Sequence, residues 1–337
     1  MQPVTAGEPA ARSELIDAAR GLAIILVVIG HTSQGMTSRG LWQGSSLDVR
    51  IYEWMYSFHM PAFFFLAGLF ATGSLRKRGL PRFLRDRVST LLWPYFLFEL
   101  LNLVIFRVGA HVTHKLQPAW TAVAWTFFTA AGAWFLPTLF FALAVFAIVI
   151  SLPVSVPMIL LLAISLVVRK YCLAIPINFV AAGLFFLPMV ILGAIVGGRV
   201  QQVVRIPRVI SSVLAASIAW LIWHGTARHW EWNYFGSLLL ALAGTGMLLL
   251  AARVVDGTDG GHWLAWCGQA SIGIFLLAPY AQVAVRTLLL HVHLTGKTVQ
   301  LLLPSLAAVL FGGWVYHHRD DLHARFLFVF PRWSLSR

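Results

Sequence analysis

Charged side chains are scarce in this sequence. Lys, Arg, Asp and Glu make up 11% of its 337 residues, while 59% are hydrophobic. A soluble domain carries about 25% charged residues, and no soluble fold hides this much apolar surface, because surface area shrinks too slowly with size. A water-soluble globule is therefore excluded, and lipid is the solvent for most of the chain. Carboxylates are scarcer still: 12 Asp+Glu against 25 Lys+Arg leave a net charge of +13. In a soluble protein that excess would point to nucleic acid. Here the cations gather in short runs between apolar stretches, so membrane topology explains them, and nucleic acid is not an expected partner. Only two cysteines occur, Cys172 and Cys267. The topology derived below puts them on opposite sides of the membrane, which leaves no disulfide to expect. A cleavable leader is not expected either. Residues 1–14 are polar and rich in Pro and Ala, and they run straight into an apolar stretch that reads as an uncleaved first span. No internal repeat, low-complexity tract or long linker divides the chain.

Long apolar runs are what the sequence has in abundance. A span needs about 20 mostly apolar residues, and candidates fall near 15–34, 51–72, 88–108, 134–151, 154–169, 178–197, 208–224, 233–252, 270–290 and 299–317. The fourth and fifth are joined by the Pro-rich turn Leu152–Pro157, which fits a broken helix or a tight hairpin. The fold class expected is an all-α polytopic membrane bundle of about ten transmembrane helices. Arg76, Lys77, Arg78, Arg82, Arg85 and Arg87 follow the second span, Arg199, Arg205 and Arg208 the sixth, and Arg319, Arg325, Arg332 and Arg337 the last. With an even span count all three groups share one side with the N-terminus, so both termini are expected in the cytoplasm. The organisation reads as a cytoplasmic segment 1–14, one transmembrane domain 15–317 and a cytoplasmic basic tail 318–337. Fourteen Trp suit the aromatic belts of such a protein.

Ionisable groups within a span are costly and default to functional candidates. The first span carries Asp17, Arg20 and His31. Eleven positions at 100° each bring Arg20 and His31 within about 20° of one face, roughly 16 Å apart along the axis. Asp17, three residues before Arg20, joins that face. An arginine snorkelling to the interface beside Asp17, with His31 marking the outer helix end, would explain the same spacing. The second span opens with Ser57-Phe58-His59-Met60-Pro61. It enters from the outer side, so His59 reaches a depth comparable to His31, and Pro61 bends the helix and frees a carbonyl near His59. A kinked helix with a structurally bonded histidine is the alternative. Below it, Arg82, Arg85 and Arg87 precede the third span, where guanidinium forks suit phosphates. For Arg76, Lys77 and Arg78, ordinary anchoring suffices.

The Asp17-x-x-Arg20 start with His31 beyond it, the run His59-x-Pro61-x-Phe63-Phe64-Phe65-x-x-Gly68, the pair Arg82 and Arg85 ahead of Pro94-Tyr95, and Trp134-Phe135-Leu136 opening the fourth span together resemble the acyltransferase-3 family of integral membrane O-acyltransferases. The match is dense over 15–140. It departs at Ala67, where relatives often carry Ser, and at Ala278, where a related segment often ends in His. The resemblance implies a multi-pass protein of the inner (cytoplasmic) membrane. It implies transfer from cytoplasmic acyl-CoA, with acetyl-CoA the expected donor, to a hydroxyl of a carbohydrate acceptor such as an exopolysaccharide, lipopolysaccharide or lipid-linked glycan. Glycan-assembly proteins are possible neighbours.

Acyl transfer from a thioester to an alcohol needs a base for the hydroxyl and stabilisation of an oxyanion, and no metal or redox cofactor. His31 is the expected base, with His59 as partner and Asp17 completing the catalytic group. Arg20, Arg82, Arg85 and Arg87 are expected to hold the donor, and Trp134 and Tyr95 to touch substrate. A covalent acyl-histidine route satisfies the same residues. The rival class is a transporter or flippase of a glycan or acyl group, since intramembrane Arg and His also line substrate paths. The pairs His111/His114, His291/His293 and His317/His318 lack carboxylates or cysteines at ligand spacing, so zinc is not expected. Trp42, Trp120, Trp230 and Trp232 in the outer loops are candidates for stacking on sugars or for belt anchors.

Overall fold

The computed structural model describes residues 8–38, 40–41, 45–112, 134–153, 157–230 and 234–331. Among these the regular structure is entirely helical. In chain order the helices are α1 (Glu8–Thr37), α2 (Ser46–Tyr56), α3 (His59–Arg78), α4 (Leu80–Arg87), α5 (Trp93–Val112), α6 (Phe135–Ser151), α7 (Met158–Tyr171), α8 (Asn178–Val196), α9 (Arg208–Thr226), α10 (Tyr234–Val255), α11 (Asp259–Gln269), α12 (Ser271–His291) and α13 (Lys297–His317).

Among the described residues, eight stretches are long and apolar enough to cross a membrane: Glu14–Thr37, Leu47–Arg78, Leu80–Ile105, Asn178–Val196, Arg208–Thr226, Tyr234–Val255, Ser271–His291 and Lys297–His317. They match eight of the ten apolar runs. The other two, around the Pro-rich turn, form separate helices of 17 and 14 residues, α6 and α7. At 1.5 Å per residue α7 is about 21 Å long, short of a hydrocarbon layer of about 30 Å.

The second apolar run is not one helix. Its start is capped by Ser45, whose hydroxyl accepts from the Asp48 amide while the Asp48 carboxylate accepts from the Ser45 amide. The helix stops at Tyr56 and restarts at His59. Pro61 sits in the first turn of α3, where no intrahelical N–H is required. The interruption therefore falls at Ser57-Phe58, one turn ahead of the proline.

The helices sort into two compact units. One comprises Met1–Leu66 and Val196–Arg319. In it α1 is packed by α2 and α10–α13, and α9 pairs with α10. The short α11 lies against the N-terminal half of α1, around Asp17 and Gly21, where glycines let the backbones meet. A methyl group on Gly268 would overlap the Asp17 carbonyl, and one on Gly21 would overlap that of Leu264. Glu14 and His262 pair across the same contact. The other unit comprises Ala67–Ile195 and Asp320–Arg337. It holds α4, a π-helical turn Val88–Leu92, α5–α8 and the chain's last described residues. The Trp93 indole donates to the Phe326 carbonyl at 2.6 Å, and the Phe330 amide lies 3.1 Å from both oxygens of Ser89. This ties the tail to the π-turn between α4 and α5.

Candidate active site

The first unit gathers His31, Gln34, Tyr52, Tyr56 and His59 at one end of α1. Gly30 admits the Tyr56 ring, since a methyl there would overlap its edge. Tyr56 stacks on Tyr52 with centroids 3.9 Å apart and meets the His59 imidazole edge-on at 4.6 Å. Tyr52 in turn accepts a 2.6 Å hydrogen bond from Gln34 Nε2, and Gln34 Oε1 is 3.3 Å from His31 Nδ1.

Their surroundings differ. His59 is 1% exposed. Its Nδ1 lies 2.6 Å from the Met55 carbonyl, which can only accept, so Nδ1 carries the proton and Nε2 the lone pair. The carbonyl near His59 comes from the last turn of α2. His31, by contrast, is exposed. Its Nδ1 faces a carboxamide oxygen, so its Nε2 is the nitrogen available to a reactant.

The opposite side of this turn is fixed by a buried polar network. Thr32 donates to the Val28 carbonyl at 2.9 Å, with Ser305 Oγ and Gln282 Nε2 each 2.8 Å from its hydroxyl. Gln282 Nε2 also reaches the Val28 carbonyl at 3.0 Å, and Arg286 Nη2 donates to the Thr32 carbonyl at 2.9 Å. Gly35 leaves the room that the Arg286 guanidinium occupies.

Asp17 and Arg20 pair with each other at 3.4 Å, Arg20 being half-buried. The helix α1 runs unbroken from them to His31. Fourteen residues place Asp17 about 21 Å from the His31 turn, so the structure does not bring that carboxylate to the histidines.

In the second unit, α4 is preceded by Gly79, with φ of +72°, and opens with Leu80-Pro81. Phe83 is its buried anchor, and Arg87 lies over that ring at 5.0 Å. Arg82 and Arg85 project from the exposed side, while Arg78 is paired with Asp86. Two guanidinium groups three residues apart on an open helical face suit a phosphorylated ligand.

A family model described as an acyltransferase domain matches residues 14–318, nearly the whole chain. The chain belongs to the acyltransferase-3 family. No curated protein and no solved structure matches it. It is thus a multi-pass membrane acyltransferase.

Other residues of this acyltransferase that the sequence singled out have plain surroundings. Trp134 stacks on Phe186 at 6.1 Å and is partly buried. Tyr95 is 3% exposed. Trp230 packs against Gly225 and Gly236, while Trp42, Trp120 and Trp232 lie outside the described residues. His317 stacks on Trp266 and His318 on Trp314, so that adjacent pair faces two different rings. Sequence reasoning passed over Gln34, Tyr52, Tyr56, Gln282 and Arg286. For Arg286 a signal existed: it is an arginine inside an apolar span.

Proposed function

We propose that this acyltransferase moves an acyl group, acetyl in the first instance, from acyl-CoA to a hydroxyl of a carbohydrate acceptor. The observation that carries the reading is His31, an imidazole open to a reactant with its Nδ1 engaged and its Nε2 available. His31 Nε2 takes the proton of the acceptor hydroxyl as that oxygen bonds to the acyl carbon. The same nitrogen returns the proton to the departing thiol, so the base is regenerated. His59, held by Met55 and Tyr56, keeps its own lone pair on Nε2 beside this group. Arg82 and Arg85 take the donor's phosphates, with Arg87 partly buried behind them, and the Asp17–Arg20 pair receives polar parts of the donor. The acceptor is a glycan and the membrane is the inner one in this reading, as the family resemblance implies.

The donor assignment is tested with purified protein and acetyl-CoA. Arg82→Ala and Arg85→Ala are expected to raise the donor KM about tenfold each, with kcat nearly unchanged, because the phosphates bind equally in the ground and transition states. Unchanged donor KM in both variants would remove α4 from the donor site.

A further inference from the structure

His31 has two ring nitrogens, and only one of them can serve as base. Which one is free depends on what the other bonds to. In a histidine base of this kind the orienting partner is usually a carboxylate. Asp17 stands about fourteen residues back along α1 and is engaged with Arg20. Gln34, one turn beyond His31, takes that place with its Oε1 3.3 Å from Nδ1. A carboxamide rotates freely unless its amino end is also held. Here Nε2 donates to the Tyr52 hydroxyl at 2.6 Å, which anchors the carboxamide, and the oxygen end is the one placed toward the imidazole. Tyr52 is itself fixed by stacking on Tyr56, and Tyr56 is seated over Gly30.

We propose that Gln34, backed by Tyr52, is the positioning residue that holds His31 in the Nδ1–H tautomer and so directs Nε2 to the acceptor hydroxyl. The assignment rests on His31 being the base. Gln34 is neutral, so it orients the ring without stabilising the imidazolium by charge, unlike the carboxylate of a Ser-His-Asp triad. Among the described residues, the titratable and charged groups with contacts at this turn are Tyr52 and Tyr56 from α2, His59 from α3 and Arg286 from α12, while α13 contributes the neutral Ser305. A carboxylate at position 34 would be the only added charge.

Two readouts test this, one of them independent of turnover. In protein labelled with ¹⁵N-histidine, His31→Ala assigns the His31 resonances. Wild type is expected to show a protonated Nδ1 and a bare Nε2. In Gln34→Ala the two nitrogens are expected to move toward averaged shifts. Gln34 is exposed, so neither variant creates a cavity. For turnover, release of free thiol from acetyl-CoA is followed against pH in the presence of host membrane glycan. Gln34→Glu is expected to move the acid limb upward by about one pH unit, because a carboxylate beside Nδ1 favours the imidazolium. Gln34→Ala is expected to lower kcat by at least tenfold at unchanged donor KM. A His31 spectrum indifferent to Gln34→Ala, or an unmoved acid limb in Gln34→Glu, would overturn the role of Gln34. Full turnover in His31→Ala would instead overturn the base assignment itself.

Discussion

His31 and His59 are the same residue type in adjoining helices, yet they are equipped for different work. The imidazole of His59 is sealed among Tyr56, Met55 and the start of α3, whereas that of His31 is exposed, with its Nδ1 facing Gln34. The cysteines are placed for the reverse outcome. Both are buried and free, and burial pushes the Cys267 thiol up to about 12. A thiol whose pKa is raised stays protonated at neutral pH, and the thiolate is the nucleophile. Cys267 is therefore expected to resist a maleimide probe in the native protein at pH 7.5 and to react after denaturation. Rapid native labelling would show that the helix α11 opens. Thiol chemistry at this position is then no part of the transfer.

Packing between elements decides where these residues stand. The helix α11 comes close to α1 because Gly21 and Gly268 have no side chains. Gly268→Val would press its side chain into the Asp17 carbonyl, and overpacking of that kind costs roughly 1–3 kcal/mol. A lower midpoint of thermal unfolding in detergent is expected, and an unchanged midpoint would mean that the contact yields easily. The sequence made much of this architecture legible and some of it not. Apolar runs located eight of the spans, because an uncharged apolar stretch of about 20 residues matches the thickness of a bilayer and suits little else. The proline at position 61 marked a disturbance near His59, although the break itself lies at Ser57-Phe58, since a proline is accommodated within a first turn. Periodicity put Asp17, Arg20 and His31 on one stripe, but a stripe about 21 Å long holds two separate groups. Gln34 was visible one turn from His31. Its partner was not, because nothing in residues 38–45 indicates which turn of α2 will face α1. The Gln282 and Arg286 network was hidden for the same reason, since an arginine in a span announces itself while the carbonyl it meets belongs to a helix some 250 residues earlier.

For the molecule as a whole, the chain is a multi-pass membrane acyltransferase built from two compact helical units, with the histidine cluster in one and the exposed arginines of α4 in the other. From the basic runs after α3, after α8 and at the tail we propose a topology with both termini in the cytoplasm. Reporter fusions at each end are expected to give the same cytoplasmic signal, and signals from opposite sides would require an odd number of crossings. The most direct measurement uses the purified protein alone in liposomes with radiolabelled acetyl-CoA and host membrane glycan, wild type beside His31→Ala. Wild type is expected to label the glycan. His31→Ala is expected to transfer about 10²–10⁴-fold less, the usual contribution of a general base, with an unchanged unfolding midpoint. Undiminished labelling by His31→Ala, or glycan labelling by wild type only after a second enzyme is added, would contradict transfer by this chain through His31.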